Sequence, residues 1–196
     1  YSFTISKNCF VKDELHLENK IRNIMSSNGF NEHYSNSLYS QDDVMINKKS
    51  KAVEVMNPLN QEMKYLRNDL LPGLLKSISY NEKRGQEYLK LFEIGSVIRY
   101  DSKKYNYSDE VRKLGIVWSL NKKNHWKHPI KNDVYTVKGE IRQLFDLLNY
   151  NLDDFIYDKD SFRIIINGVL IGEVNLISDE ILKKYKIKNQ LIFCSI

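Results

Sequence analysis

The sequence has no apolar run approaching the roughly 18 residues that cross a bilayer as a helix, and no basic-then-apolar leader opens it. Those absences predict a soluble, cytoplasmic protein with no membrane partner. Cysteine is scarce: Cys9 and Cys194 are the only two in 196 residues. So thin a supply excludes a disulfide framework and fits a reducing compartment, with both thiols as small apolar fillers. Whether the two lie near each other stays open. Histidine is limited to His16, His33, His125 and His128. Only His125 and His128 are close, around Trp126 in NHWKHP, and no cysteine or carboxylate cluster accompanies them, so no metal site is expected. There is no G-x-x-x-x-G-K phosphate loop and no G-x-S-x-G nucleophile turn. The acidic pairs Asp42-Asp43 and Asp153-Asp154 read as caps or loop residues. No catalytic residue is assigned.

What is present is a well-mixed globular composition, 42% hydrophobic and 28% charged, which supplies a core and argues against disorder. The length suits a single domain over residues 1–196. The net charge of +5 is carried by scattered lysine pairs at 48–49, 103–104, 122–123 and 183–184. Such scatter reads as a solvated surface, although a modestly basic field also aids encounter with RNA. The chain opens on Tyr1 and closes on the strand-like LIFCSI, so a piece of a longer chain is expected.

Apolar periodicity places the elements. Residues 12–28 read as an amphipathic helix, with Leu17, Ile21, Ile24 and Met25 on one stripe and Gly29 as a left-handed stop. FNEHYSNSLYS is strand-like, and AVEVMNP reads as a strand ended by Asn57-Pro58. Residues 68–84 form a helix capped by Asn68 or Asp69, with Pro72 in its first turn. YLKLFEIGSVIRY and VRKLGIVWSL are strands, and 133–149 is a helix with Val137, Ile141, Leu144, Phe145 and Leu148 on one face. In FRIIINGVLIGEV, Asn167-Gly168 supplies the two positive-φ residues of a two-residue hairpin turn. A short helix near 179–186 and the strand QLIFCSI finish the chain. Without βαβ alternation, this order predicts an α+β fold with a mainly antiparallel sheet flanked by helices.

The stretch from 57 to 98 concentrates the polar residues of interest. Glu93 falls on a buried strand and needs a partner, because an isolated charge in a core costs several kcal/mol. Arg84 is the expected partner and Arg67, at the helix entrance, the alternative. With Asn81 and Gly95, where backbone must pass closely, they form the expected structural network: Arg67, Asn81, Arg84, Glu93 and Gly95.

These residues resemble the core of the bacterial phenylalanyl-tRNA synthetase beta chain. That family carries Asn-Pro-Leu, then Arg-x-x-Leu-Leu-Pro-Gly-Leu-Leu, then Asn-x-x-Arg, then Phe-Glu-Ile-Gly. They stand here as Asn57-Pro58-Leu59, Arg67 to Leu75, Asn81 with Arg84, and Phe92 to Gly95. Gly29-Phe30-Asn31-Glu32 after the first helix is a second match, and VYTVKGE (134–140) a looser third. After residue 150 the match is diffuse: DKDSF and NLISDE stand where the family has His-Pro-containing segments.

The resemblance implies a class II aminoacyl-tRNA synthetase-like core without the catalytic motifs. Strand 90–99 reads LFEIG in place of Arg-x-Glu, and no arginine follows Arg163. An adenylate-forming site without that cation lacks stabilisation for charge developing on the phosphates. The expected role is a scaffold for the catalytic alpha chain in an (αβ)2 phenylalanine–tRNA ligase. The assembly uses ATP, magnesium and tRNA(Phe), with no cofactor in this domain. Leu17, Ile21, Ile24 and Met25 are the subunit-interface candidates. A tRNA-contacting surface, or a domain with its own ATP and amino-acid site, are the alternatives.

Overall fold

The computed structural model describes residues 14–47, 51–104, 108–120, 122–123, 130–131, 133–153, 155–158 and 161–196. Cys9, Lys48, Lys49, His125, Trp126, His128 and Asp154 lie outside the described residues, as do the first two positions of the expected first helix.

Helix α1 (Glu14–Ser27) ends where the sequence places its stop. Gly29 has φ +79°, Gly29 N–H donates to Ser26 O, and Phe30 N–H donates to Met25 O. This is the double bond of a Schellman end, and Met25 and Phe30 are both buried in the same cluster, sealing it. Next come β1 (Asn31–Glu32), β2 (Leu38–Tyr39) and the single-turn helix α2 (Gln41–Val44), then β3 (Tyr65–Leu66). The expected strand AVEVMNP is reduced to one bridge, Glu54 to Tyr65, because only Val53 and Val55 find backbone partners across from it.

Helix α3 (Leu71–Glu82) begins later than its first polar residues suggest. Asn68 turns away and donates to Val44 O, and Asp69 accepts from Leu71 N–H. Pro72 has no N–H, Gly73 N–H goes to the Tyr39 hydroxyl, and Leu74 N–H reaches Leu70 O. The first turn therefore leaves no amide unsatisfied, although Leu70 in the cap position has no side-chain acceptor.

The long hairpin of β4 (Lys90–Tyr100) and β5 (Ser108–Ser119) is followed by β6 (Lys122–Lys123), β7 (Ile130–Lys131) and helix α4 (Val134–Leu147), whose N-cap Asp133 accepts from Thr136 N–H. After β8 (Ile156–Asp158) come β9 (Ser161–Ile166) and β10 (Val169–Leu176), joined by Asn167 at φ +51° and Gly168 at φ +75°. Two positive φ angles in sequence are the type I′ geometry that matches strand twist. Helix α5 (Asp179–Tyr185) and β11 (Leu191–Ser195) complete the chain.

Seven strands form one sheet in the order β1-β4-β5-β11-β10-β9-β8. The β1–β4 pair is parallel and the other pairs are antiparallel. Alternation along β4 divides the core in two. Phe92 and Ile94 join a cluster with Met25 of α1 and Ile141 and Leu144 of α4. Leu91 and Val97 join a second cluster with Leu74, Leu75 and Ile78 of α3 and Leu182 of α5. No helix among the described residues is long and apolar enough to cross a membrane.

Candidate functional site

Glu93 lies on the α3 side of β4, and its partner is Arg67. Arg67 Nη1 donates to Glu93 Oε1 at 2.6 Å, with only 7% of Arg67 and 1% of Glu93 exposed. Ser35 completes the carboxylate's shell: its N–H donates to Oε1 at 3.2 Å, and its hydroxyl lies 2.9 Å from Oε1 and 2.8 Å from Oε2. Arg67 Nε donates to Ser96 O at 2.7 Å, which anchors the guanidinium to the strand it faces. The pair is thus buried with its hydrogen bonds made inside the fold, the condition under which a core tolerates two charges.

Two glycines make room for it. A Cβ on Gly95 would lie 2.3 Å from Arg67 Nη2, and one on Gly73 would lie 2.5 Å from Ser35 Oγ and 2.8 Å from the Tyr39 hydroxyl. Burial pushes the Tyr39 phenol up to about 12, so it stays a neutral donor and acceptor. Gly95→Ala is expected to lose about 1–3 kcal/mol in urea unfolding, because the guanidinium must leave its position over the strand. Gly139→Ala is the control: Gly139 is exposed inside α4 with nothing within 4 Å of its would-be Cβ. It should gain about 1 kcal/mol from helix propensity. A Gly95 variant as stable as the parent would mean that the arginine is not held there.

Arg84 is not part of this network. It lies beyond the C-terminus of α3, donates to Tyr80 O at 3.0 Å and stacks its guanidinium 3.4 Å over the Tyr80 ring, in solvent. Asn81 caps the same end by donating to Ser77 O at 2.8 Å. From Gly73 to Arg84 is about 16 Å along a helix axis, at 1.5 Å per residue. The helix therefore carries Arg84 away from Glu93 and leaves Arg67, at its entrance, in reach.

Sequence reasoning missed Ser35, Tyr39 and Ser96. Ser35 is 58 positions from Glu93 and nothing in HYSNSLYS marks it as an acceptor's neighbour. A second polar knot was also missed. Asp43 of α2 takes Lys76 Nζ at 2.6 Å, the Tyr185 hydroxyl at 2.6 Å and the Ser40 hydroxyl at 2.7 Å, tying α2 to α3 and α5.

The four interface candidates divide. Met25 is 3% exposed and belongs to the core. Ile21 and Ile24 are half-buried against that core, while Leu17 is 42% exposed. Leu17 and Ile21 border a groove of about 300 Å³ between α1 and α4, lined also by Leu144, Leu148, Ile166 and Ile196. Cys194 is a buried free thiol whose pKa burial pushes far up, so it is a core filler. Among the described residues, no group of three histidine, cysteine or acidic side chains gathers to hold a metal.

The backbone arrangement is shared with solved synthetases. A pyrrolysyl-tRNA synthetase from Desulfitobacterium hafniense superposes with a TM-score of 0.75 over 95% of this chain and 68% of that one, at 15% identity. A second structure of that organism's enzyme gives 0.71 over 93% of this chain and 65% of that one, at 14% identity. The fold is the α+β, class II synthetase-like core.

In sequence, the chain is 30% identical over 195 residues to the phenylalanine–tRNA ligase beta subunit of Carboxydothermus hydrogenoformans, covering 90% of this chain and 24% of that protein. The beta subunit of Bacteroides thetaiotaomicron is 27% identical over 98% of this chain and 26% of its own length, and that of Bacillus subtilis 28% over 89% and 23%. The chain spans about a quarter of the length of these relatives. Residues 11–196 match the family model described as the phenylalanyl tRNA synthetase beta chain CLM domain. Arg67 through Gly95, the segment that builds the buried ion pair, falls inside that match, and the chain belongs to the phenylalanyl-tRNA synthetase beta chain CLM domain family.

Proposed function

We propose that the chain is the non-catalytic structural core of a phenylalanine–tRNA ligase beta subunit, one domain over residues 1–196. It scaffolds the catalytic alpha subunit in a cytoplasmic (αβ)2 enzyme that charges tRNA(Phe) with phenylalanine, using ATP and magnesium bound elsewhere. The observation that carries the reading is the state of Glu93. Its carboxylate stands within LFEIG, where an active class II strand carries Arg-x-Glu, and it is 1% exposed and held by Arg67 and Ser35. A carboxylate buried in an internal ion pair is out of reach of a substrate unless that costly pair is broken.

The assembly part of the reading is supported on the opposite face of the sheet. There the apolar groove between α1 and α4 is bordered by Leu17, Leu148 and Tyr150, of which Leu17 is 42% and Tyr150 47% exposed. Large apolar side chains gathered on one face are the usual mark of a protein interface.

Size-exclusion chromatography with light scattering, on this chain alone and mixed with the cognate catalytic alpha chain, tests the proposal. A co-eluting complex is expected, weakened by Leu17→Asp. A chain that remains alone at high concentration and supports ATP–pyrophosphate exchange by itself would sink the scaffold reading.

A further inference from the structure

Among the described residues, the sheet face beneath α3 and α5 is not covered along its whole length. Leu91, Val117 and Leu191 lie under those helices. Beside them the face opens into a cleft of about 940 Å³. Val111, Phe193, Leu71 and Ile177 give it apolar surface, and Arg99 of β4 and Lys113 of β5 line it from neighbouring strands. Neither Arg67 nor Glu93 lines this space, so it is separate from the ion pair described above.

Two observations give the cleft its chemistry. Lys113 is a partly desolvated cation whose Nζ lies 3.0 Å from the Ser195 hydroxyl, a neutral partner. Burial holds its pKa below the usual lysine range; Asp69 and Glu173 pull it back up, while the charge of Arg99 pushes it further down. Arg99 Nε is itself buried with no hydrogen-bond partner among the described residues. The oxygens of Asp69 are already engaged by Leu71 N–H and Asn47 Nδ2. An orphaned guanidinium donor and a desolvated ammonium, close enough to repel, are a costly arrangement in a protein that binds nothing there. An oxyanion in the cleft, which both side chains line, would offset the two positive charges and remove their repulsion.

We propose that this cleft binds a small organic oxyanion, a phosphate or carboxylate head on an apolar body, with Lys113 and Arg99 as the head-group ligands. The apolar body lies on Val111 and Phe193, and Asn175 and Ser178 on the cleft wall supply neutral polar contacts. The inference concerns a different face from the α1–α4 groove, so it stands whether or not the chain assembles with an alpha subunit.

The test is an NMR titration of the 196-residue chain with phenyl phosphate, phenylacetate and, as neutral counterpart, benzyl alcohol. Saturable shifts at the amides of Lys113, Arg99 and Ser195 are expected with at least one of the two anions and not with benzyl alcohol. Comparison of the anions identifies the head. Lys113→Met should weaken binding by roughly ten- to a hundredfold, the loss expected for a charge-assisted hydrogen bond. It should keep the fold, since it removes a buried cation. Arg99→Met is the second variant, with the same expectation for binding. The proposal is overturned if neither anion saturates, if benzyl alcohol binds as well as they do, or if both folded variants bind like the parent chain.

Discussion

Glu93→Ala is expected to destabilise the chain by about 3–5 kcal/mol, the range seen when one partner of a buried ion pair is removed. The cost arises from what remains. Arg67, 7% exposed, keeps its charge with Ser96 O as its main acceptor, and Ser35 loses the acceptor for both its amide and its hydroxyl. Chemical denaturation measures the loss directly. Glu93→Gln should cost less, because the amide oxygen still accepts from Arg67 and Ser35. The double variant Arg67→Met, Glu93→Leu should recover most of the stability, because two apolar side chains of similar volume avoid the desolvation of two charges. A Glu93→Ala protein within about 1 kcal/mol of the parent would show that the pair is not buried and coupled as described. Recovery in the double variant would also separate stability from function. A pair that is dispensable for folding but needed for complex formation would be one kept for its geometry.

Trp118→Ala is expected to have a comparable effect, about 3–5 kcal/mol, for a different reason. The indole is 1% exposed at the β5 end of the long hairpin, with the Phe30 ring edge-on at 5.6 Å between centroids. Its Nε1–H donates to Glu140 Oε2 at 2.6 Å, and the other oxygen of Glu140 pairs with Lys90. One side chain therefore ties the end of α1, the sheet and α4 together. Truncation removes the largest apolar volume in that layer and leaves the Glu140–Lys90 pair with one donor fewer. Trp118→Phe retains most of the buried area and should cost about 1–3 kcal/mol, the penalty of the lost hydrogen bond. Equal losses for the two variants would mean that the hydrogen bond, not the packing, holds the layer.

The parts of the fold that were legible in the sequence are those with local causes. Helix α1 with its Gly29 stop, the turn at Asn167-Gly168, the strand bearing LFEIG and the α4 face of Val137, Ile141 and Leu144 each follow from spacing or from a φ that few residues adopt. AVEVMNP fails as a strand for the complementary reason. Its β-rich composition says that it fits a pleated surface, but a strand exists only where a neighbour offers a ladder, and here the neighbour offers one bridge.

The site was legible in kind and not in partner. A glutamate on a buried strand has to be paired, whatever the fold, because an unpaired buried charge is too costly to keep. Which arginine pairs with it depends on where a helix points. Arg84 is nearer in sequence, and the axis of α3 carries it away. Arg67 is farther, and the entrance of α3 brings it over Gly95. Periodicity likewise found the stripe of α1 without telling its inner edge, at Met25, from its outer edge, at Leu17.

By itself, then, the sequence determined the α+β class, the antiparallel hairpin and the need for a counter-charge at position 93. These rest on interactions within a few residues, or on single-residue costs that no context removes. The tertiary structure alone decided that Ser35 and Arg67 meet Glu93, that Asp43 joins three helices, and that Arg99 and Lys113 share a cleft. Each of those is a contact between segments far apart in the chain, fixed by how the helices lie on the sheet.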